Sequence, residues 1–174
     1  MMNIVKKQGL GTWISLGTLL VALIALIIYG AAISNGMDLM IASGSEKFYE
    51  AVREPEKIMM TSVVTCGVLS LVFLCASIVL GQLKFEGVVG KIIDCVTGAM
   101  RVVVPALLIA ALLYFLYGSL TGLAWTFFSN EELEIYEAAT KVGHQVITGM
   151  VFFGISAVAG IVASFFNLIK KEKA

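Results

Sequence analysis

The sequence predicts an all-α membrane protein, a four-transmembrane-helix bundle built by tandem duplication of a two-helix hairpin. Three observations predict it. Hydrophobic residues make up 59% of the chain and mean hydropathy is +0.97, well above the apolar share of soluble domains. Four apolar stretches carry that excess: about Trp13 to Ile33, Ile58 to Leu83, Val102 to Trp125 and Gln145 to Ile169. Each is long enough to cross a hydrocarbon core of about 30 Å at 1.5 Å per residue, and none has Asp, Glu, Lys or Arg in its interior. Finally, the chain matches itself. Tyr29-Gly30 recurs as Tyr117-Gly118 at an offset of 88 (117 − 29), and Tyr49-Glu50-Ala51 recurs as Tyr136-Glu137-Ala138 at 87 (136 − 49). Thr61 and Gly67 recur as Thr148 and Gly154, again at 87 (148 − 61). Matches that include polar residues in one register point to a repeated unit. The organisation that follows is a first hairpin over 1–83, a cytoplasmic amphipathic linker over 84–101 and a second hairpin over 102–174.

The first span follows Lys6 and Lys7 and opens near Trp13, an interfacial anchor. Its apolar run exceeds the 7–15 residues usual in a cleaved leader, and removing it would delete the counterpart of the third span. The first outer segment reads as a short amphipathic helix. Ser43 and Glu46 form a capping pair, Phe48, Tyr49 and Val52 an apolar face, and Pro55 the end. The second span runs from Ile58.

In the linker, Phe85, Val88, Val89, Ile92, Ile93, Val96 and Met100 recur at helical spacing. That pattern suits a helix lying on the membrane surface, or an extension of the third span. Pro105 is placed to kink that span. The second outer segment opens with Ser129 and Glu132, continues through Leu133, Tyr136 and Val142, and breaks or bends at Gly143.

Charge orients the spans. Lys6, Lys7, Lys84, Lys91, Arg101, Lys170, Lys171 and Lys173 lie on one side, whereas the other carries most of the Glu and Asp. By the Lys/Arg bias of short loops both termini are cytoplasmic. The expected location is a cell membrane, multi-pass. With no Asn-x-Ser/Thr acceptor and no cysteine in the outer segments, the chain suits a bacterial one.

Several function classes lack their residues. The span interiors hold no ionisable group of the kind that marks proton or ion pathways, including the embedded Glu of small multidrug transporters. No Cys/His or acidic cluster has metal-ligand spacing, no Gly-rich nucleotide loop occurs, and the basic residues are too scattered for nucleic acid. His144 is the single histidine. We therefore expect no enzyme, no catalytic residue, no metal and no cofactor. The four-span plan is similar in outline to claudins and tetraspanins. However, 34–57 lacks the Trp and Cys of the one, and Cys66-Gly67 falls inside a span rather than in the large outer loop of the other, so no family is assigned.

Small residues four apart let helix backbones approach in lipid. Gly118 with Gly122, and Ser156, Gly160 and Ser164, are the expected helix-packing residues. The sequence thus points to a non-enzymatic structural or accessory subunit, partnered by the lipid bilayer and by itself or a membrane complex. The alternative is a homo-oligomeric small-solute transporter or channel with Tyr29, Tyr117, Thr61 and Thr148 along a polar path. The topology is testable with single cysteines in a cysteine-free background. Ser45→Cys and Asn130→Cys should react with an impermeant thiol reagent on intact cells, Lys7→Cys and Lys171→Cys only after lysis. Labelling of a terminus from outside would overturn the charge argument.

Overall fold

The structure, a computed structural model, describes residues 8–42, 54–83, 86–128 and 133–169. Four helices fill these ranges: α1 (Leu10–Ala42), α2 (Glu54–Gln82), α3 (Gly87–Phe128) and α4 (Leu133–Phe165). Each contains a segment long and apolar enough to span a membrane: Leu10–Asn35, Met59–Gln82, Gly87–Leu120 and Thr140–Phe165. The chain is thus an all-helical, multi-pass integral membrane protein. Among the described residues, extended pairing is limited to one antiparallel bridge, Gln8 with Ile169.

Local sequence explains most helix limits. Pro55 is the second residue of α2, where its missing N–H would have had no helical partner. Gly87 opens α3 with φ 71°, a left-handed conformation costly for a residue with a Cβ. Of the two readings of the linker, a surface helix or an extension of the third span, the structure has the second: Gly87 to Arg101 is the first third of the 42-residue α3. Gly143, expected as a break, lies inside α4. In both places extending a helix adds a hydrogen bond per residue, whereas a lone glycine costs only about 1 kcal/mol. The α3 helix also runs through Pro105. Ser43, Glu46, Tyr49, Ser129 and Glu132 lie outside the described residues, as do the surroundings of Tyr136.

The helices form a ring. α1 lies mainly against α4 and α2 mainly against α3; α3 and α4 pack along each other, and α1 meets α2 over less of its length. Gly118 sits against Met59 and Arg101 reaches Ala163, so ring neighbours run antiparallel. We call the end that carries Gln8 and Ile169 the base and the other end the apex. At the centre the Tyr29 and Phe115 rings meet edge to face at 4.8 Å, and Phe115 meets Phe153 at 6.3 Å, a favourable arrangement for aromatic quadrupoles.

The buried seams recur at one separation. Thr18, Ala22, Ala25 and Tyr29 of α1 are buried, as are Val104, Leu108, Ala111 and Phe115 of α3, each 86 residues on (115 − 29). Buried Val63, Gly67, Ser70, Leu74 and Ser77 of α2 stand in the same relation to Gly149, Phe153, Ser156, Gly160 and Ala163 of α4 (156 − 70). Large and small residues exchange places between the halves: Ala22 for Leu108, Gly67 for Phe153, Leu74 for Gly160. Such alternation lets side-chain layers interdigitate, which matters in lipid because helices there associate by packing rather than by hydrophobic transfer.

Gly160 tests this packing. A Cβ on it would lie 3.6 Å from Pro105 Cβ, 3.7 Å from Thr18 Cγ2 and 3.8 Å from Leu108 Cδ1, ordinary contact distances with no further room. Gly160→Ala should therefore melt at the wild-type temperature or slightly above it. Gly160→Leu should lose about 1–3 kcal/mol by overpacking, read as a lower melting temperature in detergent. Equal melting of the two variants would place this position on a loose face.

Candidate functional site

The polar groups of the described chain concentrate at the base. Two features of the sequence put them there: Gly9 and Gly11 precede Thr12 at the start of α1, and Arg101 stands one turn before Pro105. The chain leaving α4 crosses the start of α1. Gly9 N–H donates to the Leu168 carbonyl at 2.6 Å and Gly11 N–H to that of Asn167 at 3.1 Å. Thr12 Oγ1 donates to the Leu168 carbonyl at 2.6 Å. Free N–H groups at one helix start and free carbonyls at another helix end, both otherwise orphaned, thus satisfy one another. The crossing is close. A Cβ on Gly9 would run into the carbonyl oxygen of Asn167, and one on Gly11 into that of Phe166.

Two side-chain pairs complete this clasp. The amides of Gln8 and Gln82 bond reciprocally at 2.9 and 2.8 Å, tying α2 to the start of α1. Arg101 Nη2 donates to the carbonyls of Ala163 and, at 2.6 Å, Phe166. A cation at the last turn of α4 also meets the negative end of that helix dipole. The clasp therefore joins all four helices.

Three polar atoms here find no hydrogen-bond partner within the protein: Ser15 Oγ, Thr97 Oγ1 and Arg101 Nε, each enclosed by neighbouring atoms. Elsewhere along the seams hydroxyls turn back on their own helices. Thr18 donates to the Ile14 carbonyl, Ser70 to Gly67, Ser77 to Leu74 and Ser156 to Phe153. At the apex Asn35 donates to Gln145 at 2.9 Å, and the His144 and Phe127 rings meet at 5.7 Å.

The residues singled out from sequence are distributed as follows. Ser156 and Gly160 are buried, and Ser164 is partly buried with its hydroxyl on the Ile161 carbonyl at 2.6 Å. Gly118 lies against Met59, whereas the surroundings of Gly122 are outside the described residues. Tyr29 is buried and donates to the Met60 carbonyl at 3.0 Å. Tyr117 is 62% exposed, and Thr61 and Thr148 also lie on the outer surface. Within one chain these four groups do not line a common path. The clasp went unread in the sequence. Its one visible sign is Gly9-Leu10-Gly11-Thr12 at the mouth of a span, two glycines two residues apart where another segment must come close.

Chemically, the base presents hydrogen-bond donors and one guanidinium. Among the described residues no group of three or more His, Cys, Asp or Glu side chains is placed to hold a metal ion.

The clasp predicts opposite outcomes for two glycines of α1. Gly11→Ala forces backbone apart and should lower stability by about 1–3 kcal/mol, measured by thermal or denaturant unfolding in detergent. Gly17, whose Cβ would meet nothing within 4 Å, should accept Ala with a gain of up to about 1 kcal/mol. If Gly11→Ala melts no lower than Gly17→Ala, the crossing is not close.

No family model, curated protein or solved structure matches this chain.

Proposed function

We propose that this chain is a non-enzymatic structural or accessory membrane protein that associates with itself or with a membrane complex. The observation that carries the reading is the start of α3. With Gly118 beside Met59 and equal rise per residue in the two helices, Gln82 at the end of α2 stands about level with Cys95. Arg101 is already at the last turn of α4. The first two turns of α3 extend past the level of the α2 end; Gly90 is covered and Ile93 half-covered there, and the remaining face is apolar and exposed. Val88 is 74% exposed, and Val89, Ile92 and Val96 are exposed with it. This start is continuous with the span-forming segment Gly87–Leu120 rather than a separate surface helix. An apolar stripe in that position suits contact with another protein surface.

The charge distribution supports the accompanying proposals that both termini are cytoplasmic and that the membrane is a bacterial cell membrane. We also read the hairpins as copies of one unit. The constant 86-residue separation of the buried seams supports this, although the sequence matches at 87 and 88 pair residues on different helix faces. Half-to-half alignment of related chains tests it, since unrelated halves would show no shared pairs near those offsets. The homo-oligomeric transporter alternative would need Tyr117, Thr61 and Thr148 to meet a path between protomers.

Association is testable on the α3 stripe. Val88→Lys/Ile92→Lys should keep helix content and melting temperature while losing the oligomer mass, or the copurifying partner, seen with the wild type in mild detergent. Retention of the same assembly by the double variant would remove this stripe as the contact, and a single-chain mass with no partner for the wild type would remove the reading itself.

A further inference from the structure

We propose that the base binds an oxyanion of the phosphate class, held by Arg101, Ser15 and Thr97. The three carry polar atoms that nothing in the protein satisfies, and the fold brings them together. Thr97 precedes Arg101 by four residues on α3, so their side chains share a helix face. Ser15 lies on the buried seam of α1. Gly160 places Thr18 and Pro105 on opposite sides of one small contact; Ser15 lies one turn below Thr18, and Arg101 one turn below Pro105. Arg101 and Thr12 grip the carbonyls of Phe166 and Leu168, two residues apart, which fixes both helices at the same level.

Burial makes these atoms informative. Ser15 is 1% exposed and Thr97 7%. A buried donor without a partner is destabilising, and in native proteins it calls for a water or an ion. Here the chemistry selects the ion. All three groups can donate, one bears a positive charge, and both bonds of Arg101 go to neutral carbonyls. The guanidinium is partly buried, so its charge is only partly offset by water and neutral carbonyls. Guanidinium and hydroxyl donors together suit the oxygens of a phosphate. The atoms are enclosed in this conformation, whereas Arg101 as a whole is only partly buried. Entry of an oxyanion requires that side chain to turn toward the rim and exchange its bonds to the Ala163 and Phe166 carbonyls for bonds to the ion.

Depth indicates where the phosphate comes from. Trp13, 54% exposed, adjoins Thr12 and marks headgroup level, where Trp concentrates. Lipid phosphates lie at that level, and a free phosphate ion would offer the same oxygens. The inference uses only the membrane character of the chain, so it stands or falls separately from the associative reading.

The test uses the full-length protein in neutral detergent at constant ionic strength. It is melted alone, with phosphatidylglycerol, and with inorganic phosphate. Phosphatidylglycerol should raise the melting temperature by about 5 °C or more at saturation. A matching rise with inorganic phosphate identifies the free ion as a sufficient ligand, and a rise with lipid alone identifies the headgroup. No rise with either overturns the proposal and leaves water as the partner of these atoms. Arg101→Gln should abolish the rise, but it also removes clasp bonds. Ser15→Ala/Thr97→Val therefore carries the test, because it removes two hydroxyls that make no bond in the fold. It should melt at the wild-type temperature or higher without ligand and lose at least about half of the ligand-induced rise. A full rise in the double variant overturns the three-point site, whatever Arg101→Gln does.

Discussion

Inside hydrocarbon every backbone N–H and C=O must find its partner in the protein, and a helix meets that demand everywhere except at its two ends. The base of this bundle is the described solution. The first N–H groups of α1 and the last carbonyls beyond α4 bond to each other, through Gly9 and Gly11 on one side and Asn167 and Leu168 on the other. Arg101 takes two carbonyls more. Each such group left bare would cost about 1–3 kcal/mol, so the fold depends on these two chain segments touching. That contact needs glycine at 9 and 11, places Thr12 over Leu168 and ties the two ends of the chain to one surface.

Packing along the spans follows from the same demand. The seam serines were expected to serve close approach, with hydrogen bonds between helices as a further gain. In the structure Ser70, Ser77 and Ser156 donate to carbonyls three residues back in their own helices. A hydroxyl folded back in this way is small and already satisfied. It lets a neighbouring backbone approach without asking it for a partner, so cohesion comes from dispersion between well-matched surfaces. Tyr29 is the exception. Its ring packs edge-on against Phe115 while its hydroxyl crosses to the Met60 carbonyl, making it the described side chain that bonds α1 to α2 near the apex.

The four spans were legible because hydropathy over some twenty residues is a strong signal. What sequence pattern missed has physical reasons. The apolar spacing of the linker suited either a surface helix or an extension of the third span, and only the fold separates them: α3 runs on through Lys91, Asp94 and Arg101. The matched Tyr29 and Tyr117 suggested equivalent places, but the buried seams correspond at 86 residues rather than 88. Two residues turn a helix by about 200°, which is why Phe115 occupies the centre and Tyr117 faces outward. The clasp was hidden for a different reason. Its bonds run largely between backbone groups, which every residue carries, so no side-chain pattern announces them.

These features bear on function through what each end of the bundle leaves undone. Along the spans, most described seam hydroxyls bond to their own helices, Thr140 Oγ1 being an enclosed exception. At the base, by contrast, a positive charge, two hydroxyls and a projecting apolar stripe lie within a few turns of α3. Packing alone would favour neither. An apolar residue at 101 would remove one unsatisfied atom but leave the Ala163 and Phe166 carbonyls without this donor. An unsatisfied polar cluster and an exposed apolar stripe thus lie within a few turns of each other at the start of α3.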